Sequence, residues 1–307
     1  MVKLVYLLLI TLTLSTSALA QNSRLLVSDE STTTDHTTVI KGKKVRYSAT
    51  VGTQPVWDDE GNTTASLFYT YYQRTDIKNN ANRPLLISFN GGPGSASVWM
   101  HVAYTGPKVL NVDSEGYPLQ PYGVKTNPHS VLDVADIVFV NPVNTGFSRV
   151  LADKNGKMPS KDAQKKAFFG VNADVKYLAE WISTFVSRND RWRSPKYLIG
   201  ESYGTTRVSG LALELQNRQW MYLNGVILVS PTDIGIERKG PVKAANRLPY
   251  FAATAWYHKA LSDTLQAKDL YSLLDEVEAF TINQYLPAIA KGGFISAAEK
   301  QKIAEQV

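Results

Sequence analysis

Four short apolar runs constrain the fold of this chain most, and each is bounded by Gly, Pro, Asn or Ser. Such continuous apolar character suits a strand that is covered on both faces, as in a parallel sheet. Between the second and third runs, apolar residues recur at steps of three and four, which predicts a helix with one buried face. A second helix is expected after Ser202, and strands that alternate with helices predict an α/β fold. The runs are residues 85–89, 137–140, 197–199 and 226–229, and the helical positions are Val171, Val175, Leu178, Ile182 and Phe185.

Two strand-like segments come before the first run. Residues 39–51 and 65–73 are typical of β-strands, and Gly61-Asn62 lies between them as a turn signal. We expect these strands to be antiparallel and to precede the parallel part of the sheet. Residues 21–38 are rich in Ser and Thr and weakly patterned, which predicts a mobile leader.

The strand signal ends near residue 233. Residues 244–261 and 264–280 are predicted to be helical. Ser296 and Glu299 have the spacing of a capping box, in which the Ser oxygen accepts a backbone N–H and the Glu reaches back to the cap. A further helix is therefore expected to begin there.

The first twenty residues are predicted to be a signal peptide. Lys3 precedes an apolar run over residues 4–14, and residues 18–20, Ala-Leu-Ala, have the form of a signal-peptidase site. The run is too short for a membrane-spanning helix, which needs about 20 apolar residues. We expect residues 1–20 to be removed on export, leaving no membrane attachment.

The cysteine content and the net charge narrow the possible classes of protein. The chain has no cysteine, which excludes disulfides, thiolate metal sites and a cysteine nucleophile. Because eukaryotic secreted proteins commonly use disulfides, their absence favours a periplasmic or secreted bacterial protein. The net charge is +6, but basic residues are scattered among acidic ones and the densest run, residues 41–46, is short. No nucleic-acid partner is expected.

Residues 200–204, Gly-Glu-Ser-Tyr-Gly, have the form G-x-S-x-G and lie between an apolar run and a predicted helix. A sharp strand-to-helix turn lifts the Ser oxygen out of the sheet, and the flanking glycines relieve crowding in that turn. The helix start also supplies backbone N–H groups for an oxyanion. The motif predicts Ser202 as a nucleophile, and a plain turn flanked by glycines is the alternative.

A glycine-rich loop follows the first apolar run. Residues 90–94, Asn-Gly-Gly-Pro-Gly, allow the backbone to approach a ligand closely and to point N–H groups at it. A tight turn is the alternative interpretation. Together with Ser202, the loop is better explained as one half of an oxyanion hole.

These segments resemble the serine carboxypeptidase family, peptidase family S10, whose members are α/β-hydrolases that remove C-terminal residues from peptides. The resemblance is carried by residues 90–94, 141–148 (Asn-Pro-Val-Asn-Thr-Gly-Phe-Ser) and 200–204, in the family's order and spacing. It extends from about Lys41 to the end, and residues 248–258 look like the bacterial branch of the family.

The resemblance implies an α/β-hydrolase fold with a central, mostly parallel sheet, N-terminal antiparallel strands and a helical insertion that begins near residue 233. It also implies that the family's C-terminal strands are absent from this sequence. The expected organisation is a signal peptide (1–20), a mobile leader (21–38), the N-terminal part of the core (39–232) and the start of the helical cap insertion (233–307).

The implied activity is that of a serine-type carboxypeptidase acting on peptide or protein C-termini through an acyl-enzyme. Because one of two adjacent carboxylates must hold a proton, a substrate carboxylate bound beside Glu201 predicts activity favoured at acidic pH. A surface acid beside a helix N-terminus is the alternative for Glu201. The implied roles are Ser202 as nucleophile, the N–H groups of Gly92 and Tyr203 as oxyanion hole, and Asn90, the Gly91 N–H and Glu201 as binders of the terminal carboxylate.

The base is the missing part of this site, because a Ser nucleophile needs a base and an acid that orients it. The resemblance places both beyond residue 307, so the chain alone is expected to be inactive. Asp233 followed by His258 is an alternative pair. The remaining histidines are His36 in the leader, His101 after the glycine-rich loop, which does not match the family's base, and His129 in a loop.

Two other functions stay open at this point. The chain could be a truncated, non-catalytic member that binds peptide C-termini through Asn90 and Glu201, or an esterase or acyltransferase on the same fold. No H-E-x-x-H, Rossmann or phosphate-loop pattern occurs, so neither a metal nor a cofactor is expected.

Overall fold

The computed structural model describes residues 28–78, 82–232 and 239–307. The chain divides into two units, Met1–Ile234 and Gly235–Val307. The predicted signal peptide, the first part of the predicted leader (21–27) and Asp233 lie outside the described residues.

An eight-stranded sheet forms the centre of unit 1 in its described part, in the order β1-β2-β3-β7-β4-β9-β10, with β8 paired to β3. Strands β7, β4, β9 and β10 run parallel to one another, whereas the pairs β1–β2, β2–β3 and β3–β7 are antiparallel. The predicted mixed sheet, with antiparallel strands first and parallel strands after them, is confirmed. The strands are β1 Ser31–Ile40, β2 Lys43–Trp57, β3 Thr63–Arg74, β4 Leu85–Phe89, β5 Lys108–Leu110, β6 Val124–Thr126, β7 Asp136–Val140, β8 Arg149–Val150, β9 Lys196–Glu201 and β10 Gly225–Val229, of which β5 and β6 form a separate pair.

The mobile leader predicted for residues 21–38 is wrong over its last part. Residues 31–38 belong to β1, which pairs with β2 across the turn at Lys41-Gly42. The strand is exposed along most of its length, so it lacks the apolar alternation that would identify it. Thr has a high strand propensity, and a polar edge strand needs only one paired neighbour.

Two helices cover one face of the sheet and a separate apolar cluster covers the other. On the first face, α2 (Val171–Arg188) and α3 (Tyr203–Arg218) bury apolar side chains such as Leu178 and Val208 against the strands. Leu198 is one of the strand residues that they contact. On the second face, Met100 packs against alternate strand residues such as Ile199. The helices of unit 1 are α1 Lys161–Phe168, α2 Val171–Arg188 and α3 Tyr203–Arg218, and Met100–Thr105 forms a π-helical turn.

A buried ionic cluster lies at the amino ends of the parallel strands. Asp136, at the first position of β7, is fully buried and accepts from Arg83 Nε at 2.8 Å and from Arg191 Nη1 at 2.7 Å. Arg191 also donates to the Tyr71 hydroxyl. This cluster ties β3, β4 and β7 together at the end of the sheet opposite the G-x-S-x-G turn.

Unit 2 is helical in its described residues, but its helices differ from the predicted elements. The helix predicted for residues 244–261 spans Gly240–Tyr257. Residues 264–280 form two helices rather than one, because the Asp269 carboxylate accepts the N–H groups of Tyr271 and Ser272 and so caps a new helix. Ser296 caps the last helix through the Glu299 N–H. The helices are α4 Gly240–Tyr257, α5 Asp263–Gln266, α6 Leu270–Phe280, α7 Leu286–Ala290 and α8 Ala297–Gln306. No helix in the described ranges has the length and apolar character that crossing a bilayer requires.

Candidate active site

Ser202 lies in a strained turn between β9 and α3. Its backbone angles are φ 57° and ψ −125°, a combination that is open mainly to glycine. The turn is crowded, because a Cβ atom on Gly200 would collide with the carbonyl oxygen of Gly204. The Ser202 N–H donates to the Val229 carbonyl at 3.0 Å, which ties the turn to the end of β10. The predicted strand, turn and helix are therefore present around Ser202.

The glycine-rich loop packs directly against this turn. A Cβ atom on Gly91 would lie 2.5 Å from the Tyr203 nitrogen and 2.6 Å from the Glu201 carbonyl oxygen. One on Gly204 would lie 3.0 Å from the Phe89 oxygen. Both glycines are thus required by close backbone contact. The contact brings the loop that contains Gly92 next to the N–H of Tyr203.

Asn90 and Glu201 form a polar pair beside the turn. Asn90 Nδ2 donates to Glu201 Oε2 at 3.1 Å, and Asn90 Oδ1 accepts the Met100 N–H at 2.9 Å. Asn90 is 1% exposed, whereas Glu201 is half-buried. The Asn90 amide is therefore fixed in orientation by two hydrogen bonds. The structure brings these two predicted residues together.

A buried ion pair supports the glycine-rich loop. Arg207 on α3 donates to Asp174 on α2 at 2.7 Å and to the Asn90 carbonyl at 2.7 Å. It also donates to the Pro93 carbonyl at 3.3 Å. Its guanidinium lies 5.2 Å from the Tyr203 ring centroid. Arg207 thus connects Asn90 and Pro93 of the glycine-rich loop to the helix that Ser202 precedes.

Asp174 also holds the loop at 141–148, the third segment of the resemblance. It accepts from the Tyr177 hydroxyl at 3.1 Å, and that hydroxyl accepts the Val143 N–H at 3.1 Å. On the other side, Asn141 Oδ1 accepts the Ser97 N–H at 3.0 Å. The three motif loops are therefore linked through one hydrogen-bond network.

Arg207 and Asp174 were not predicted from the sequence as site residues. Each lies on the apolar face of its helix, Arg207 between Gly204 and Leu211, and Asp174 one position before Val175. One helix face carries a single positive charge and the other a single negative charge. Because buried charges are almost always paired, this pattern could have predicted that Arg207 and Asp174 form an ion pair.

The histidines in the described part of unit 1 do not contact Ser202. His101 Nε2 and the Tyr72 hydroxyl form a hydrogen bond of 2.6 Å. The His101 ring stacks on Phe139 at a centroid distance of 4.5 Å. Burial lowers the pKa of His101 to about 4, so it is neutral at physiological pH. His36 stacks on Tyr47 at the edge strand. His258 lies in unit 2, at the C-cap of α4.

Titratable side chains of the described residues form no group of three or more that could hold a metal ion. The turn thus holds a serine hydroxyl, nearby backbone N–H groups and a carboxylate–amide pair.

The comparisons with known proteins agree with this geometry. The family model for serine carboxypeptidases matches residues 56–285, well over half of the chain. The chain belongs to the serine carboxypeptidase family. Its fold is therefore of the α/β-hydrolase type, as the sheet order and the turn at Ser202 also indicate.

Individual members of the serine carboxypeptidase family are distant from this chain. Identity to serine carboxypeptidase-like 36 of Arabidopsis thaliana is 31% over 175 residues, covering 56% of this chain and 33% of that relative. Identity to the retinoid-inducible serine carboxypeptidase of Homo sapiens is 32% over 151 residues, covering 48% and 28%. The chain spans about a third of the length of these curated relatives.

Among solved structures, the chain is similar to the prohormone-processing carboxypeptidase Kex1(delta)p from Saccharomyces cerevisiae. The TM-score is 0.49 at 18% identity, over 85% of this chain and 52% of that one.

Proposed function

We propose that this protein is a serine-type carboxypeptidase that hydrolyses C-terminal peptide bonds through an acyl-enzyme on Ser202. The observation that carries the proposal is the strained turn at Ser202 in backbone contact with the glycine-rich loop. Membership of the serine carboxypeptidase family supports the class of reaction, which is hydrolysis of a C-terminal peptide bond. Residues 1–20 retain the form of an export signal, so we propose that the enzyme acts outside the cytoplasm.

In the proposed reaction, Ser202 Oγ attacks the carbonyl carbon of the last peptide bond. The Oγ–C bond forms, the oxyanion is stabilised by the N–H groups of Gly92 and Tyr203, and the C–N bond then breaks. The departing amino group takes a proton, and water hydrolyses the ester to release the shortened peptide. The close approach of Gly91 to Tyr203 supports this pairing of donors.

The terminal carboxylate of the substrate is proposed to bind at the Asn90–Glu201 pair, with the Gly91 N–H as a further donor. The fixed Asn90 amide offers an N–H, and a protonated Glu201 would offer an O–H. Because Glu201 and the substrate carboxylate must share a proton, activity is expected to be favoured at acidic pH.

A general base must still take the Ser202 proton. His101 does not fit this role, since it is buried, neutral and occupied by Tyr72. We propose that the base and its orienting acid come from residues beyond 307, and that the 307-residue chain is inactive by itself.

The test is hydrolysis of an N-acetylated tripeptide with a free carboxylate and of the same tripeptide as its C-terminal amide. The protein is expressed from its complete open reading frame, with Ser202→Ala as the control. We expect loss of the last residue only from the free acid and only with Ser202 present. Equal cleavage of acid and amide would contradict recognition of the terminal carboxylate. Cleavage of neither peptide, with hydrolysis of the matching peptide methyl ester, would instead support an esterase or acyltransferase site. Binding of the acid without hydrolysis would support a non-catalytic member.

A further inference from the structure

A buried arginine on α3, Arg207, contacts the loop that contains Asn90. Its Nη1 donates to the Asn90 carbonyl at 2.7 Å and its Nε to the Asp174 carboxylate at 2.7 Å. Its Nη2 donates to the Pro93 carbonyl at 3.3 Å, and the residue is 1% exposed. Each of its three side-chain nitrogen atoms thus donates to a protein group, so Arg207 would act on a substrate through the loop rather than by direct contact.

The bond to the Asn90 carbonyl sets the direction of the next backbone N–H. The Asn90 carbonyl and the Gly91 N–H belong to one planar trans peptide unit, in which the two groups point in opposite directions. Because Arg207 holds the carbonyl, the Gly91 N–H points away from the guanidinium. Gly91 has no side chain that could restrain this peptide unit, so its orientation depends on contacts such as this one.

The guanidinium and the Asn90–Glu201 pair lie on opposite faces of the sheet. The guanidinium lies 5.7 Å from the ring centroid of Phe89, which belongs to the apolar cluster under α2 and α3. Glu201 lies on the other face, because side chains alternate along β9 and the residue two positions earlier packs with Met100 there. Asn90 Oδ1 accepts the Met100 N–H on that face. The Gly91 N–H, which points away from the guanidinium, is therefore directed to the side on which Asn90 and Glu201 meet.

We propose that Arg207 is a positioning residue for recognition of the terminal carboxylate of the substrate. By holding the Asn90–Gly91 peptide unit, it directs the Gly91 N–H toward the carboxylate that the Asn90 amide and Glu201 bind. The inference rests on the proposed function, because that function places a carboxylate at this pair. The charge of Arg207 is balanced by Asp174 at 2.7 Å, so Arg207 contributes the direction of a donor rather than attraction of the carboxylate.

The first test measures binding, so it does not depend on turnover. The Ser202→Ala protein from the complete open reading frame, the parent here, is titrated by isothermal titration calorimetry with an N-acetylated tripeptide that has a free carboxylate and with its C-terminal amide. The ratio of the two affinities is the acid preference.

Arg207→Lys is then introduced into the parent. It keeps a positive charge beside Asp174, but one ammonium group lacks the fork that reaches the Asn90 carbonyl at the same time. We expect the acid preference to fall about tenfold, which is the worth of one hydrogen bond to a charged group. The affinity for the amide should stay close to that of the parent.

Arg191→Lys is the matched control, because it makes the same change in another buried ion pair. Arg191 is also 1% exposed, and it donates to Asp136 at 2.7 Å and to the Arg83 carbonyl at 2.8 Å, at the opposite end of the sheet. We expect Arg191→Lys to lower the temperature of unfolding about as much as Arg207→Lys does and to keep the full acid preference.

A double variant, Arg207→Gln with Asp174→Asn, covers the case in which Arg207→Lys does not fold. It removes both charges and so leaves no unpaired charge in the interior. The Gln side chain is shorter than that of Arg and does not reach the Asn90 carbonyl, so the acid preference should again fall about tenfold. Thermal unfolding checks that each protein is folded.

Nuclear magnetic resonance tests the Gly91 N–H directly. Selective isotope labelling of Asn carbonyl carbons and Gly nitrogens shows the amides of Asn-Gly pairs, which in this sequence are those of Gly91, Gly156 and Gly225. In the parent, we expect the acid to move the Gly91 amide proton downfield and the amide peptide to leave it in place. In Arg207→Lys, saturation with the acid should no longer produce this shift.

The outcomes separate the two proposals. An acid preference in the parent that neither Arg207 variant changes, or bound acid with no shift of the Gly91 amide, would overturn the role of Arg207 and leave carboxylate binding by Asn90 and Glu201 standing. An equal fall in Arg191→Lys and Arg207→Lys would show general loosening of the fold and would likewise overturn that role. Equal binding of acid and amide by the parent, or no binding of either, would contradict the proposed carboxylate site and, with it, this inference.

Discussion

Replacement of Ser202 by glycine is expected to stabilise the protein while removing the proposed nucleophile. At φ 57° and ψ −125°, a residue with a Cβ atom is strained by about 1–3 kcal/mol, and glycine is not. Glycine also makes the unfolded chain more flexible, which costs about 0.4–1 kcal/mol. The net gain in the free energy of unfolding is therefore about 0.5–2 kcal/mol.

The matched control is Ser202→Ala, which removes the hydroxyl and keeps the Cβ atom and its strain. Urea-induced unfolding at 25 °C and pH 7 would compare the original chain with both variants. We expect Ser202→Gly to be more stable than Ser202→Ala. A glycine variant that is equal to or less stable than the alanine variant would refute the idea that strain is stored at the nucleophile.

Three further stability effects and one effect on activity are expected. Arg207→Met leaves its partner carboxylate buried and unpaired, so the free energy of unfolding should fall by about 3 kcal/mol in urea titrations. Gly91→Ala should cost about 2 kcal/mol or more, because its Cβ would meet backbone atoms at 2.5–2.6 Å, whereas Gly94→Ala, with nothing within 4 Å, should be nearly neutral. The folded-state pKa of His101 is about 4 against an ordinary 6.5, so protonation of the unfolded state should lower stability by about 3 kcal/mol between pH 7 and pH 4, and His101→Phe should remove that loss. Glu201→Gln removes one of two adjacent carboxylates, so the pH profile of peptide hydrolysis by the protein from its complete open reading frame should move toward neutral pH.

A different result would contradict each of these predictions. An Arg207→Met variant as stable as the parent would show that the ion pair does not support the loop. Equal stability of the Gly91 and Gly94 alanine variants would contradict the close loop-to-turn contact. An unchanged pH dependence of stability in His101→Phe would mean that this histidine is not buried as described, and an unchanged activity profile in Glu201→Gln would remove Glu201 from carboxylate binding.

The strands and helices of the parallel region were predictable because their signal is local. The run at 85–89 coincides with β4, and the apolar steps from Val171 match α2, which spans Val171–Arg188. Most of strand β1 was missed, since residues 31–37 face solvent and carry no apolar alternation. The break at Asp269 was missed because its cap interrupts an otherwise continuous apolar pattern.

The candidate site was predictable where a short motif fixes the backbone, as at Ser202 and Gly91. The ion pair that supports the site was not predictable, because Arg207 and Asp174 are 33 residues apart and their pairing depends on how two helices pack. The environment of His101 likewise depends on Tyr72 and Phe139, which contact it from strands β3 and β7. Long-range contacts of this kind are set by tertiary packing rather than by local sequence.

The most direct test of the central claim is to detect the acyl-enzyme on Ser202. The protein from its complete open reading frame is mixed with an acetylated peptide substrate, quenched in acid within the first turnover, and analysed by intact mass and peptide mapping. We predict an added mass equal to the acyl part of the substrate, located on the peptide that contains Ser202. Product formation with no covalent adduct, or an adduct on another residue, would contradict the account.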